Sequence, residues 1–410
     1  MLLRLWFFVG MFTGFSLTAL SQSPDLILRR NVERIEIPFE YENNFIIVNV
    51  VLNDLLPLRF IFDTGAEHTI LTQRDFTDIL QVQYGRRLPL MGSDMSEELY
   101  AFLAIGVNLN VGGLIAPNRT ILVLEEDYIN FKEFAGVDVH GIIGADLFRR
   151  FVVRINYKQQ IISLINPIHF KPPGNRYIEI PVEMIRNKPY IKTSTIIAGG
   201  PANEYKYLVD TGAGMAVLIY TNTHPSLHLP PQVVRSRLGM GLGGNIEGFL
   251  GRIGYLRFAD IDMKGVITNF QELPYPEDTL RMQQRNGIIG NQILNRFIII
   301  FDYPNSKLYA LPTSKAKAIF KSEKSGMLLA ASGKRLDTFT VFDVLPGSPA
   351  ESAGIQVNDQ IRSINGWPAS LHTLEDLTNK FYGKSGKKMR VVIERNGVRM
   401  LKTFALRELI

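Results

Sequence analysis

Phe62-Asp-Thr-Gly-Ala66 and Val209-Asp-Thr-Gly-Ala213 decide how this chain reads. Each closes an apolar run, Phe60-Ile-Phe62 in one place and Tyr207-Leu-Val209 in the other. The surroundings repeat too. Upstream, Arg34-Ile-Glu-Ile-Pro38 returns as Tyr177-Ile-Glu-Ile-Pro181; downstream, Gly141-Ile-Ile-Gly144 returns as Gly287-Ile-Ile-Gly290. Equivalent positions 35 and 178, 63 and 210, and 141 and 287 are offset by 143, 147 and 146 residues. Spacing this even means one unit of about 145 residues, present twice.

Within each copy the pattern is that of strands. Ile35, Ile37 and Phe39 alternate with polar neighbours, Phe45 to Leu52 is β-branched and turns at Asn53-Asp54, and Leu58, Phe60 and Phe62 alternate into Asp63. After each Gly-Ile-Ile-Gly a short helix is expected (145–150; 291–296), followed by two strands (151–157 and 161–165; 297–303 and 308–311). Pro172-Pro173-Gly174 divides the copies. The fold class is therefore mainly β, with lobe 1 over 24–170 and lobe 2 over 171–312 as pseudo-symmetric β lobes.

An Asp at the end of a buried strand is aimed by a rigid scaffold, and the following Gly lets other backbone approach it. If the lobes pack around a two-fold axis, Asp63 and Asp210 meet. Two carboxylates that close share one proton, which places a general acid and a general base in one site.

On these residues the chain resembles the retropepsin-type aspartic peptidases, and its duplication is similar to that of the bilobed pepsins. The resemblance covers roughly 34–311. It implies that Asp63 and Asp210 activate a water for attack on a peptide carbonyl. It further implies that Thr64 and Thr211 lock the two loops together, and that Gly65 and Gly212 donate backbone hydrogen bonds to the carboxylates. Ile142, Ile143, Gly144, Ile288, Ile289 and Gly290 would pack beneath the loops. No metal or other cofactor is required, and one chain suffices to assemble the dyad.

The copies differ in places. Thr69 in lobe 1 corresponds to Ala216 in lobe 2. Ala66 and Ala213 stand where pepsins often place a hydroxyl; a missing donor raises a carboxyl's pKa, so an optimum nearer neutral than pepsin's is expected. Flap candidates are 90–99 and the glycine-rich 239–248. The latter lacks the Lys-Ser/Thr of a phosphate loop. His224 and His228 have metal-ligand spacing but are followed by prolines, against a helical zinc site, and His68 reads as an exposed loop histidine.

From Thr313 the composition changes. A polar linker is expected over 313–324 and a separate α+β module over 325–410. Val344-Leu-Pro-Gly-Ser-Pro-Ala-Glu-Ser-Ala-Gly-Ile355, followed by Asp359-Gln-Ile-Arg-Ser-Ile-Asn-Gly366, resembles the PDZ domains of bacterial envelope proteases. That resemblance implies binding of a peptide C-terminus by strand addition, with 371–381 as the groove helix. Gly326, Met327 and Leu328 are the candidate carboxylate-binding loop.

The chain has 410 residues, no Cys, and a formal charge of +6. Disulfides, thiolate metal sites and a cysteine nucleophile are excluded. Residues 313–410 hold 16 Lys+Arg against 9 Asp+Glu, so the basic excess lies there. Residues 1–21 read as a signal peptide cleaved before Gln22, placing the protein in a periplasm or outside the cell; an uncleaved anchor is the alternative. An exported chain argues against a nucleic-acid partner, and 24–33 is too short for an inhibitory pro-segment. The expected function is an exported aspartic endopeptidase acting on peptides or unfolded proteins, its PDZ module recruiting substrate or regulating. The alternative is an inactive peptide-binding scaffold.

Overall fold

The computed structural model describes residues 32–91, 98–128, 131–134, 136–197, 199–241, 244–273 and 284–410. The expected signal, 1–21, lies outside them, as do 92–97 and 242–243 within the two flap candidates. Among the described residues no helix is long and apolar enough to cross a membrane.

Each lobe is built on a large sheet of the same design. In lobe 1 the order is Glu40–Glu42, Phe45–Leu52, Leu56–Phe62, Gly141–Ile143, Ile70–Leu71, Leu114–Leu124, Glu98–Val111, Gln83–Met91; in lobe 2 it is Glu183–Ile185, Lys188–Ile196, Asn203–Val209, Gly287–Ile289, Val217–Tyr220, Ile261–Gln271, Gly244–Phe258, Val233–Gly241. The strand before each Asp pairs in parallel with the Gly-Ile-Ile strand, Ile61 opposite Ile142 and Leu208 opposite Ile288. The hairpins at Asn43-Asn44 and Arg186-Asn187 turn alike, both residues of each pair having positive φ. The two short helices are one turn each, Ala145–Phe148 and Asn291–Leu294.

A third sheet belongs to both lobes. Its order is Arg34–Pro38, Ile161–Ile165, Val152–Asn156, Phe297–Asp302, Lys307–Pro312, Ile178–Pro181, so Val152–Asn156 pairs antiparallel with Phe297–Asp302 across the pseudo-dyad. Val153, Ile155, Ile299 and Phe301 are buried there in one continuous core.

The C-terminal module has its own core of Met327, Phe339, Ile361, Leu377, Phe381 and Val391. Its strand order is Met327–Ser332, Thr338–Val344, Gln360–Ile364, Lys388–Arg395, Val398–Ala405, which leaves Met327–Ser332 at an edge. The expected groove helix is shorter than 371–381, running Leu374–Asn379, because Thr373 forms a capping box with Asp376 and starts it there. The segment read as a polar linker is fastened down. Ala316 and Phe320 join the lobe core, and the Arg296 guanidinium stacks 3.6 Å over the Phe320 ring.

Candidate active site

Asp63 and Asp210 emerge from their strands through identical backbone contacts. The Asp63 N–H donates to the Ile143 carbonyl (3.0 Å) and the Asp210 N–H to the Ile289 carbonyl (2.9 Å). The Ile-Ile-Gly segments thus support the two loops from beneath, with Ile143 and Ile289 buried. Ile142 and Ile288 occupy the opposite sheet face, in separate small clusters with Ala66 and Ala213 respectively. Gly144 and Gly290 are steric necessities. A Cβ would lie 2.4 Å from the His68 carbonyl carbon in one lobe and 2.4 Å from the Met215 carbonyl oxygen in the other.

The loops interlock through buried threonines. The Thr64 hydroxyl donates to the Val209 carbonyl (2.8 Å) and accepts the Thr211 N–H (3.0 Å); the Thr211 hydroxyl donates to the Phe62 carbonyl (2.8 Å) and accepts the Thr64 N–H (3.0 Å). All four bonds cross between lobes, and each hydroxyl is used as both donor and acceptor.

This lock brings the carboxyls into hydrogen-bond contact at a half-buried floor. Gly65 N–H (2.6 Å) and Ala66 N–H (3.0 Å) donate to Asp63 Oδ1, whereas Asp210 Oδ1 receives Gly212 N–H (2.7 Å). A Cβ on Gly65 would stand 2.5 Å from the Asp210 carboxyl, and one on Gly212 2.3 Å from that of Asp63. Burial, followed by the charge of Asp210 and the hydrogen bond to it, holds the Asp63 carboxyl well above the usual carboxylate range. A proton held between two touching carboxyls gives one donor and one acceptor side by side.

An aspartyl protease family model matches residues 48–147 and again 194–293, and a PDZ domain model matches 340–395. The chain carries two aspartyl protease domains and a PDZ domain. The crystal structure of aspartic proteinase from Irpex lacteus is 13% identical, with 70% of this chain and 99% of that chain covered and a TM-score of 0.43. No curated protein matches the sequence.

Outside the shared frame the protease lobes have diverged. Thr69 donates to buried Asp146 (2.9 Å), whereas lobe 2 has Ala216 and Gln292. Ala145 of lobe 1 and Asn291 of lobe 2 each donate N–H to the alanine after the local Asp-Thr-Gly. Asn291 does far more, and sequence reasoning missed it. Its Nδ2 donates to the Thr211 carbonyl (2.6 Å) and the Asn44 carbonyl (2.7 Å), and its Oδ1 accepts the Tyr157 hydroxyl (2.7 Å), joining both lobes beside the Asp210 loop. Aligning the two repeats exposes an Asn against an Ala at that position. The Tyr303 hydroxyl, equivalent to that of Tyr157, is buried without a partner because its counterpart of Asn291 is Ala145.

His68 is exposed, and His224 and His228 each turn Nδ1 to Ser226. Among the described residues no three metal-ligating side chains cluster.

At the expected carboxylate loop of the PDZ domain the N–H groups of residues 325–327 are engaged within the chain. Ser325 and Gly326 N–H groups bond the Glu323 carboxylate (2.6 and 2.8 Å), Met327 N–H bonds the Ser325 hydroxyl (3.1 Å), and Leu328 is paired with Asp343 in the sheet. Burial pushes the Glu323 carboxyl up to about 7, against the hydrogen bonds it accepts. The edge strand is covered too. The lobe 1 helix Phe131–Phe134 lies along Met327–Ser332, and a Cβ on Gly136 would be 2.8 Å from Leu374 at the start of the groove helix. On the other lobe, Arg237 donates to Asp343 and to the Phe342 carbonyl (both 3.4 Å).

Proposed function

We propose that this protein is an exported aspartic endopeptidase in which Asp63 and Asp210 share one proton and activate a water between them. The observation that carries this reading is the contact of the two carboxyls, each held by its own loop's backbone N–H groups. The unprotonated carboxyl takes a proton from water as its oxygen attacks the peptide carbonyl, while the protonated one gives its proton to the carbonyl oxygen. Collapse of the tetrahedral diol returns that proton to the dyad as the C–N bond breaks, and the departing nitrogen takes up the other. The dyad ends as it began.

The PDZ module acts as a regulator in this proposal. A peptide end adding to Met327–Ser332 must displace the Phe131–Phe134 helix of lobe 1. Phe131 packs edge-on against Phe45 at 5.7 Å, and a Cβ on Gly214 of the Asp210 loop would stand 3.2 Å from the Phe45 ring.

The test is cleavage of an unfolded protein from pH 3 to 8, with and without pepstatin, by the wild type, Asp63→Asn and Asp210→Asn. Internal fragments, abolished by either substitution and unchanged in specific activity on dilution, are expected. Cleavage surviving both substitutions overturns the dyad; peptide binding without turnover at any pH makes the chain a scaffold. Recovery of a mature N-terminus at Gln22 outside the cytoplasm tests export.

A further inference from the structure

Equivalent positions of the two lobes near the dyad carry opposite chemistry. Phe45, Ile47 and Val139 of lobe 1 sit in one apolar cluster. The equivalent positions of lobe 2 are fixed by matching hairpins, by the pairing of Ile47 with Ile61 and Tyr190 with Leu208, and by the place two residues before Gly141 and Gly287. They hold Lys188, Tyr190 and Arg285.

Arg285 is held by hydroxyl groups rather than by an acid. Its Nη2 donates to the Tyr220 hydroxyl (3.2 Å), the guanidinium lies 5.7 Å from that ring, and its buried Nε has no partner at all. Tyr190 and Tyr220 belong to one cluster with Ile288 and Ala213, and Ala213 directly follows Gly212, whose N–H holds Asp210. The cation therefore stands at the wall of the catalytic floor. Lys188 begins the adjoining strand and is half-buried. Burial and then Arg285 push its ammonium below the ordinary lysine value, while Asp63, Glu67 and Asp210 act the other way. Two cations that repel each other, one with an orphaned donor, are left beside a dyad whose single charge is shared.

We propose that Arg285 and Lys188 form a subsite for a carboxylate of the bound peptide. This rests on the peptidase reading above. The carboxylate comes either from a Glu or Asp side chain near the scissile bond or from the peptide's own C-terminus. An anion gives the guanidinium, which no acid holds, a charge-assisted partner and offsets the repulsion between the two cations. A neutral amide of the same shape offers a weaker acceptor and no charge.

The experiment uses quenched fluorescent peptides that differ only in Glu or Gln at each position around the cleaved bond, with free or amidated C-termini. They are presented to the wild type, Arg285→Gln and Lys188→Gln, each first checked for an unchanged melting transition. The expected result is a preference in kcat/KM of about 10- to 100-fold for the acid over its amide, confined to one position or to the free terminus. The ratio falls to about one in Arg285→Gln and severalfold in Lys188→Gln. Equal use of acid and amide by the wild type, or a ratio unmoved in both variants, overturns the subsite and leaves the peptidase standing.

If the wild type cleaves nothing, the peptidase reading has failed. Fluorescence anisotropy of the same peptides on Asp63→Asn then decides the subsite. An acid preference that Lys188→Gln or Arg285→Gln removes supports it, and equal affinities end it.

Discussion

Lobe 1 and lobe 2 share a frame and differ in nearly everything that surrounds it. The Asp N–H to Ile carbonyl bonds, the threonine lock and the glycines under the loops recur with distances matching to within 0.1 Å for each bond of the lock and of the Asp support. At those places any side-chain atom added would collide with backbone or with a carboxyl. One shell out, Thr69–Asp146 gives way to Ala216 and Gln292, Ala145 to Asn291, and Val139 to Arg285. The lesson is that steric exclusion preserves symmetry where polar exchange does not. A hydrogen bond can be replaced by another; a missing volume cannot.

Four measurements bear on how far the two lobes differ. The largest effect should come from the dyad itself: Asp63→Asn and Asp210→Asn are each expected to lower kcat at least about a thousandfold, and by similar amounts, since the proton belongs to the pair. A loss confined to one lobe would show that the acid and base are not shared. Next, Asn291→Ala removes three buried bonds and should cost about 2–4 kcal/mol in denaturant unfolding, whereas Ala145, its counterpart, has no such role to lose.

Third is the pH dependence of stability. The Asp63 carboxyl titrates higher in the folded protein than in the unfolded chain, so the folded state binds more protons across that interval and stability falls as pH rises through it. Asp63→Asn should therefore be the more stable protein at pH 7, by about 1–2 kcal/mol, with the gap closing near pH 4. A gap that widens on acidification reverses the sign and defeats the account. The smallest effect separates the two tyrosines. Tyr157→Phe leaves Asn291 short of a donor and should cost about 1 kcal/mol, while Tyr303→Phe deletes an unpaired hydroxyl and should be neutral or stabilising.

Much of this was legible because the repeat carries its own control. Two copies of Asp-Thr-Gly in register place both acids, and alternation places the strands that deliver them. Pairing between lobes was not legible. Phe297–Asp302 is apolar up to its last residue and Val152–Asn156 is apolar apart from Arg154 and Asn156, and such short runs say that a strand is buried without saying which strand lies beside it. Asn291 and Arg285 stayed hidden because each looks ordinary in its own copy; only the mismatch with Ala145 and Val139 marks them. In the PDZ domain, Met327 and Leu328, read as part of a carboxylate-binding loop, open the strand Met327–Ser332. That Glu323 already holds two of the loop's N–H groups depends on a fold-back that spacing does not reveal.

The sheet that belongs to both lobes also fixes what a half-length version of this chain can be. Cut at Pro172-Pro173-Gly174, lobe 1 keeps Val152–Asn156 with one side bare, since its neighbour there was Phe297–Asp302. An edge of unpaired backbone seeks another strand, and the nearest equivalent is the same segment of a second molecule. The severed half is therefore expected to sediment as a self-paired species or to precipitate. By the same token, the tandem chain is insured against dissolution on dilution, because its second subunit is tethered to the first.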